Sequence, residues 1–229
     1  MNLTIAVIAK ECLPGRAKTR LTPPLTPAQA ADLAQTSLSQ TLGTVRSLPA
    51  ARRLLVFDGV PHSRDAAGFE VVAQSAGGLD ERLAAICPLV DGPLLILGMD
   101  TPQLSPGLLA PLLADWSSPG PRHGAWLGPA SDGGFWALAL HSPDGRLVRG
   151  VEMSTPRTGG DQFLRLSAAG LSVGLLPILT DVDHFADALA AARECTGTPF
   201  ARAVDALAAG GMPAWARSDA ASTRREVRR

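Results

Sequence analysis

Short β-rich apolar runs alternate with segments of helical period along almost the whole chain, and this alternation narrows the fold further than any other feature. The run from Leu3 to Ile8 has the length of a strand and little polar alternation, as expected where a parallel strand is buried on both faces. Arg53 to Phe57, Phe69 to Gln74, Pro93 to Met99 and Ser172 to Leu175 read the same way, and Gly124 to Leu127 with Phe135 to Leu140 read as a strand pair around a turn. Between them, Thr26 is placed to cap a helix over about 27–48 with Pro27 at its first position. Further helices are predicted from Gly78 through Ile86, from Ser105-Pro106 to Trp116, over about 161–169, and near 185–195 and 199–209, with a short helix or turn within 61–67. Strands alternating with helices predict an α/β fold, a mostly parallel Rossmann-like sheet with helices on both faces. Ligands of such sheets sit beyond the carboxyl ends of the strands.

At 229 residues, with no linker-like shift in composition, the chain is expected to form one domain over 1–215. The Arg-rich end, 216–229, has almost no apolar content and is expected to be a disordered tail. Lys+Arg 21 against Asp+Glu 21 gives a net charge of +0, which removes the electrostatic argument for binding nucleic acid or a membrane surface. No apolar run approaches the roughly 18 residues of a membrane span, and no secretory leader pattern opens the sequence. A cytoplasmic protein is the expectation. Cys12, Cys87 and Cys195 are widely spaced and form neither a disulfide framework nor a zinc motif.

Local clusters must therefore carry the chemistry. The chain's two lysines, Lys10 and Lys18, flank one loop that also holds Gly15, Arg16 and Arg20 and directly follows the first strand. Gly15 permits close backbone approach, and Arg16, Lys18 and Arg20 can surround an anion. This is neither a phosphate-binding P-loop nor a dinucleotide fingerprint, since G-x-x-x-x-G-K-[ST] and G-x-G-x-x-G are both missing. Cys12 shares the loop, where its thiol pKa could fall, but no histidine partner is evident and no nucleophile is assigned.

Asp100 stands immediately after the most apolar strand, and Pro102 stiffens its exit, so the carboxylate should reach the crevice. A hard divalent cation wants one or two carboxylates together with phosphates and waters, which makes Asp100 a natural ligand. Ser105, rather than Asp100, is placed to cap the helix that follows. Asp181 and Asp183, at period-two spacing, would point to the same side of an extended segment, although capping of the next helix accounts for one of them. Two softer loops are Gly77 to Arg82, which could contact a base or ribose, and Gly128 to Phe135, which could shape an acceptor pocket; each could equally be a plain turn.

Taken in order, the segments 9–21, 78–82, 98–102, 128–134 and 181–183 resemble an uncharacterised bacterial family of the glycosyltransferase-A-like (nucleotide-diphospho-sugar transferase) superfamily. That family is similar to phospholactate guanylyltransferase and to molybdenum-cofactor guanylyltransferase. The resemblance implies a single nucleotide-binding domain and a catalytic Mg²⁺ (or Mn²⁺). By position it implies Asp100 and Asp183 as metal-binding aspartates, with Asp181 as a further candidate. Lys10, Gly15, Arg16, Lys18 and Arg20 fall in the triphosphate loop. Gly78, Leu79 and Glu81 fall at the nucleoside, and Asp132, Gly133 and Gly134 at the acceptor. Lys18, Arg20, Asp100 and Asp183 are then the catalytic set. The sequence departs from the family pattern at Cys12, Asp80, Phe135 and His184-Phe185-Ala186.

The implied reaction is transfer of a nucleoside monophosphate from a nucleoside triphosphate, with GTP preferred, to a small phosphorylated acceptor with release of pyrophosphate. Such chemistry needs positioning and charge compensation rather than a protein nucleophile. The alternatives are glycosyl transfer from a nucleotide sugar and nucleotide binding without turnover.

Overall fold

The computed structural model describes residues 2–210; the residues expected to form the tail lie outside the described range. Seven strands form one sheet in the order β3-β2-β1-β4-β6-β5-β7. They are β1 (Thr4–Lys10), β2 (Arg52–Asp58), β3 (Glu70–Ala73), β4 (Leu94–Leu97), β5 (Ala125–Pro129), β6 (Phe135–Leu140) and β7 (Val173–Leu175). Every neighbouring pair is parallel except those of β6, which runs antiparallel to both β4 and β5. The expected mostly parallel sheet is thus found, with β5 and β6 forming the anticipated hairpin.

Alternate residues of each central strand feed opposite faces, as the pleat requires. Leu3, Ile5, Val7, Leu95 and Leu97 pack on one face with Leu38 and Leu42 of helix α1 (Pro27–Ser47) and Leu109 and Leu112 of α4 (Pro106–Trp116). Ala6, Leu54, Leu94 and Ile96 pack on the other with Leu83 of α3 (Leu79–Ala84) and Leu166 of α5 (Thr158–Ala168). A third cluster joins the start of α1 to α6 (Phe185–Glu194) and α7 (Pro199–Ala209), around the fully buried Phe200. A one-turn helix α2 (Ser63–Ala66) links β2 to β3. Among the described residues no helix is long and apolar enough to cross a membrane.

The start of α1 is the one the sequence spells out. Thr26 Oγ1 accepts from Gln29 N at 3.3 Å, Gln29 Oε1 accepts from Thr26 N at 2.9 Å, and Pro27 occupies the first helical position. Two local expectations need correction. Ser105 stands at the amino end of α4, but its side chain makes no capping hydrogen bond; Leu108 N donates instead to the Ser105 carbonyl at 3.1 Å. Helix α5 begins at Thr158 rather than near Asp161, because Gly159 packs against the 133–134 turn and donates N–H to the Gly133 carbonyl at 2.7 Å.

Candidate active site

The loops leaving the carboxyl ends of β1, β4 and β5, together with the segment after β7, meet at one end of the sheet, where a cavity of about 460 Å³ opens. The fold therefore gathers motifs scattered over the sequence into one place, the place where open α/β sheets bind ligands.

Lys18 is the centre of this arrangement. Ala17 and Leu21 on either side of it are buried, and Leu21 packs with Leu25 and Phe200, so both flanks of the loop are anchored. Lys18 itself adopts the left-handed conformation (φ 47°, ψ 45°), a state that costs a residue with a Cβ about 1–2 kcal/mol. From there its Nζ donates to Asp183 Oδ1 at 2.9 Å and pairs with Asp100 Oδ1 at 3.1 Å. Arg20 Nη1 donates to the other oxygen, Asp183 Oδ2, at 3.0 Å. The Lys18 side chain is 13% exposed and that of Arg20 is 71% exposed; neither is among the residues lining the cavity, and both reach it through the Asp100 and Asp183 carboxylates, which do line it.

The electrostatics follow from this packing. Burial acts to lower the Lys18 pKa, but the charges of Asp100 and Asp183 outweigh it, and the ammonium is held above its usual range. Burial likewise opposes ionisation of Asp183, yet Lys18 and then Arg20 bring its pKa below the ordinary carboxylate value. Asp181 lines the cavity without such a partner; burial first, then the charges of Asp100 and Asp132, push it up to about 7. The site is thus rich in carboxylate, and a cation at its centre is favourable.

Helix capping does not explain Asp183. The amino end of α6 is closed by Asp187, whose Oδ2 accepts from His184 N at 2.7 Å, which leaves both Asp183 carboxylate oxygens to Lys18 and Arg20. Asp100 and Asp183 each place an oxygen within 3.1 Å of one ammonium nitrogen, so the two carboxylates already share a cationic position. Oxygen donors of this kind suit Mg²⁺ or Mn²⁺. Among the described residues no group of three or more His, Cys, Asp or Glu is arranged to hold a metal ion. A divalent ion would take Asp100 and Asp183 from the protein and its remaining ligands from phosphate and water.

The other expected residues divide. Lys10 and Leu79 line the cavity, Leu79 with its side chain half exposed. Arg16 is exposed and is not among the cavity-lining residues, and Gly15 (φ +72°) supplies the positive-φ turn that a side chain would strain. Glu81 turns back to accept from Gly78 N at 2.9 Å, so this pair caps α3, and neither residue lines the cavity. Asp132 and Gly134 do line it, with Asp132 Oδ1 accepting from Gly134 N at 2.8 Å. Gly133, at φ +89°, lies so close to the Pro156 carbonyl that a Cβ has no room. The basic loop, which could have lowered the Cys12 thiol pKa, does not do so: burial first, then the Asp100 charge, push it up to about 12.

Several residues of the site escaped the sequence reading. Arg82 lines the cavity, braced by Gly77 O at 3.0 Å and Gln74 Oε1 at 3.1 Å, while Gln74 Nε2 donates to Ala9 O at 2.6 Å. Arg82 stood inside the 77–82 segment and could have been read from its charge. Met153, Ser154 and Thr158 close the far wall, Ser154 with φ +60°, and no motif marks them.

Residues 41–155, about half of the chain, match the family described as "Uncharacterized protein conserved in bacteria (DUF2064)". The chain belongs to the DUF2064 family. That match takes in Asp100 and Asp132 but not Lys18 or Asp183. No curated protein matches this DUF2064 chain. Among solved structures it is similar to a candidate nucleotide-diphospho-sugar transferase of Desulfovibrio desulfuricans G20 (TM-score 0.77, 22% identity, 90% of this chain and 94% of that one). It is also similar to CMP:2-keto-3-deoxy-manno-octonic acid synthetase complexed with CTP (TM-score 0.50, 14% identity, 84% and 100% covered). A cytidylyltransferase from Leptospira borgpetersenii gives a TM-score of 0.51 at 13% identity, with 77% of this chain and 76% of that one covered. These likenesses establish the fold of nucleotide-diphospho-sugar transferases and cytidylyltransferases for this DUF2064 protein.

Proposed function

We propose that this protein is a divalent-cation-dependent nucleotidyltransferase that moves a nucleoside monophosphate from a nucleoside triphosphate to a small phosphorylated acceptor and releases pyrophosphate. The observation that carries the reading is the shared approach of Asp100 and Asp183, both of which line the cavity, to one cationic position supplied by the basic loop. The synthetase structure that contains CTP and the Leptospira cytidylyltransferase support nucleotidyl transfer on this fold. The resemblance to phospholactate and molybdenum-cofactor guanylyltransferases favours GTP as donor.

Bound at Asp100 and Asp183, with Asp181 beside them, Mg²⁺ or Mn²⁺ would supply charge compensation for phosphate oxygens. The chain's own residues do the positioning. Lys18 and Arg20, already at the carboxylates, are the cations nearest a leaving pyrophosphate, and Lys10 and Arg16 extend the positive surface of the loop. Leu79 presents an apolar wall to the nucleoside, with Gly78 and Glu81 holding the helix end behind it. Asp132, Gly133 and Gly134 bound the acceptor side. An acceptor oxygen bonds to the α-phosphorus as the bond to the bridging oxygen breaks, and pyrophosphate departs with that electron pair. No protein nucleophile takes part, which agrees with a Cys12 thiol kept protonated.

The test is a screen of nucleoside triphosphates and nucleotide sugars for thermal stabilisation, with and without Mg²⁺, followed by product analysis against phosphorylated acceptors. Metal-dependent stabilisation by a triphosphate and pyrophosphate release are expected. The description of the Desulfovibrio relative favours a second reading, glycosyl transfer from a nucleotide sugar, and release of free nucleoside diphosphate would establish it instead. Stabilisation without any product would leave a nucleotide-binding protein.

A further inference from the structure

The carboxylates come from two segments that no strand pairing joins. Asp100 lies in the segment leaving β4, whereas Asp181 and Asp183 follow Leu179, which is itself tied to Pro129 and Ser131. Two hydrogen bonds connect the segments. Val182 N donates to the Asp100 carbonyl at 3.0 Å, and Gln103 Nε2 donates to the Thr180 carbonyl at 2.8 Å. Asp181 is therefore held between two residues, Thr180 and Val182, that are both fastened to the segment carrying Asp100.

Gln103 makes this connection from the interior. It is 6% exposed, and its Oε1 is buried without a hydrogen-bond partner. An unpaired buried acceptor is destabilising, and an apolar side chain of the same length would fill the space without it. The amide is thus poorly explained by packing and well explained by what its Nε2 donates to. A second orphan, Thr101 Oγ1, lies two residues away; among the described residues Thr41 Oγ1 and Gln162 Oε1 are the other buried side-chain atoms without a partner.

We infer that Gln103 is a positioning residue: by holding the Thr180 carbonyl it fixes the placement of Asp181 and Asp183 relative to Asp100, and so sets the affinity of the site for a divalent cation. The inference rests on reading Asp100 and Asp183 as cation-binding carboxylates. Gln103 touches neither nucleotide nor acceptor in this account, and its effect passes entirely through the spacing of the carboxylates. Partners that orient metal ligands typically contribute about 10–100-fold in metal affinity.

The experiment is a Mn²⁺ titration of the full chain by electron paramagnetic resonance, with melting temperatures measured separately in chelator. Gln103→Met keeps length and burial while removing both the donor and the orphan acceptor. It is expected to melt within a few degrees of the parent in chelator and to bind Mn²⁺ about tenfold more weakly. Gln103→Asn keeps an amide that is one methylene too short to reach Thr180, and decides the matter should the Met variant fail to fold. Unchanged Mn²⁺ affinity in a folded variant overturns the inference. So does a loss of affinity that merely tracks a large fall in melting temperature. If the parent protein binds no Mn²⁺, the cation reading of Asp100 and Asp183 is what has failed.

Discussion

Lys18 and Asp183 are separated by 165 positions in the sequence and by 2.9 Å in the fold, and the same ammonium lies 3.1 Å from Asp100. One lysine thus closes a contact between the loop after β1 and the segment after β7. Replacing it leaves two carboxylates facing each other with only Arg20, largely exposed, to compensate.

Lys18→Met is therefore expected to lower stability in metal-free buffer by about 1–2 kcal/mol, a value between exposed and buried ion pairs. Added Mg²⁺ or Mn²⁺ should restore more of the melting temperature in this variant than in the parent, because the cation would then take the position the ammonium left. On the proposed reading of Lys18 as a cation that meets developing phosphate charge, turnover should fall by about 100-fold or more. Thermal melts in chelator and in metal, alongside a pyrophosphate assay, check both parts.

Asp100→Asn should separate chemistry from folding. Asp100 is 38% exposed at its side chain, and Lys18 retains Asp183 when it is changed, so the melting temperature should move by no more than a few degrees. Pyrophosphate release should fall by at least about 100-fold, as expected for loss of a ligand rather than of a supporting group. Turnover equal to the parent's would refute the metal role of Asp100.

Much of this site is legible in the sequence because strand-to-loop junctions fix where a backbone must go. Asp100 follows an apolar run that has to be buried, and Asp181 and Asp183 precede a helix start, so all three were bound to emerge at one end of a parallel sheet. The side-chain commitments were not legible. Whether Glu81 faces a ligand or returns to Gly78 N depends on one rotamer, and it returns. Cys12 shares the basic loop, but Lys18 is paired with Asp100 and Asp183, and burial and then the Asp100 charge dominate the thiol. Ser154, an exposed residue, adopts a left-handed backbone at φ +60° that no local pattern announces.

Gly133 connects the turn between β5 and β6 to helix α5. Its carbonyl accepts from Gly159 N at 2.7 Å, its φ is +89°, and the Pro156 carbonyl occupies the space a Cβ would need. Gly133→Ala should destabilise the protein by about 2–4 kcal/mol, the sum of backbone strain and displacement of the 156–159 segment. Mn²⁺ binding should survive in the folded fraction, because Asp100 and Asp183 are held elsewhere, while the apparent KM for acceptor rises. Equal stability of the variant and the parent in a denaturant melt would refute the steric argument.

Asp115 provides a pH prediction away from the site. It is buried at the end of α4 and accepts from Arg122 N at 2.9 Å, His123 N at 3.1 Å and Trp126 Nε1 at 3.3 Å, with His123 Nδ1 at 3.0 Å. Burial raises its pKa, but these hydrogen bonds outweigh it and bring the carboxyl from the usual 3.8 down to about 2. A carboxyl whose pKa is lower folded than unfolded stabilises the protein above its unfolded value, and that contribution is lost as pH falls through the folded one. Asp115→Asn, which imitates the protonated form, should be about 2 kcal/mol less stable than the parent at neutral pH, as for loss of charge-assisted bonds. The difference should shrink as pH falls from about 4 towards about 2. Urea melts of both proteins across that range measure it; a gap that stays constant down to the lowest pH would mean that the Asp115 charge contributes nothing to stability.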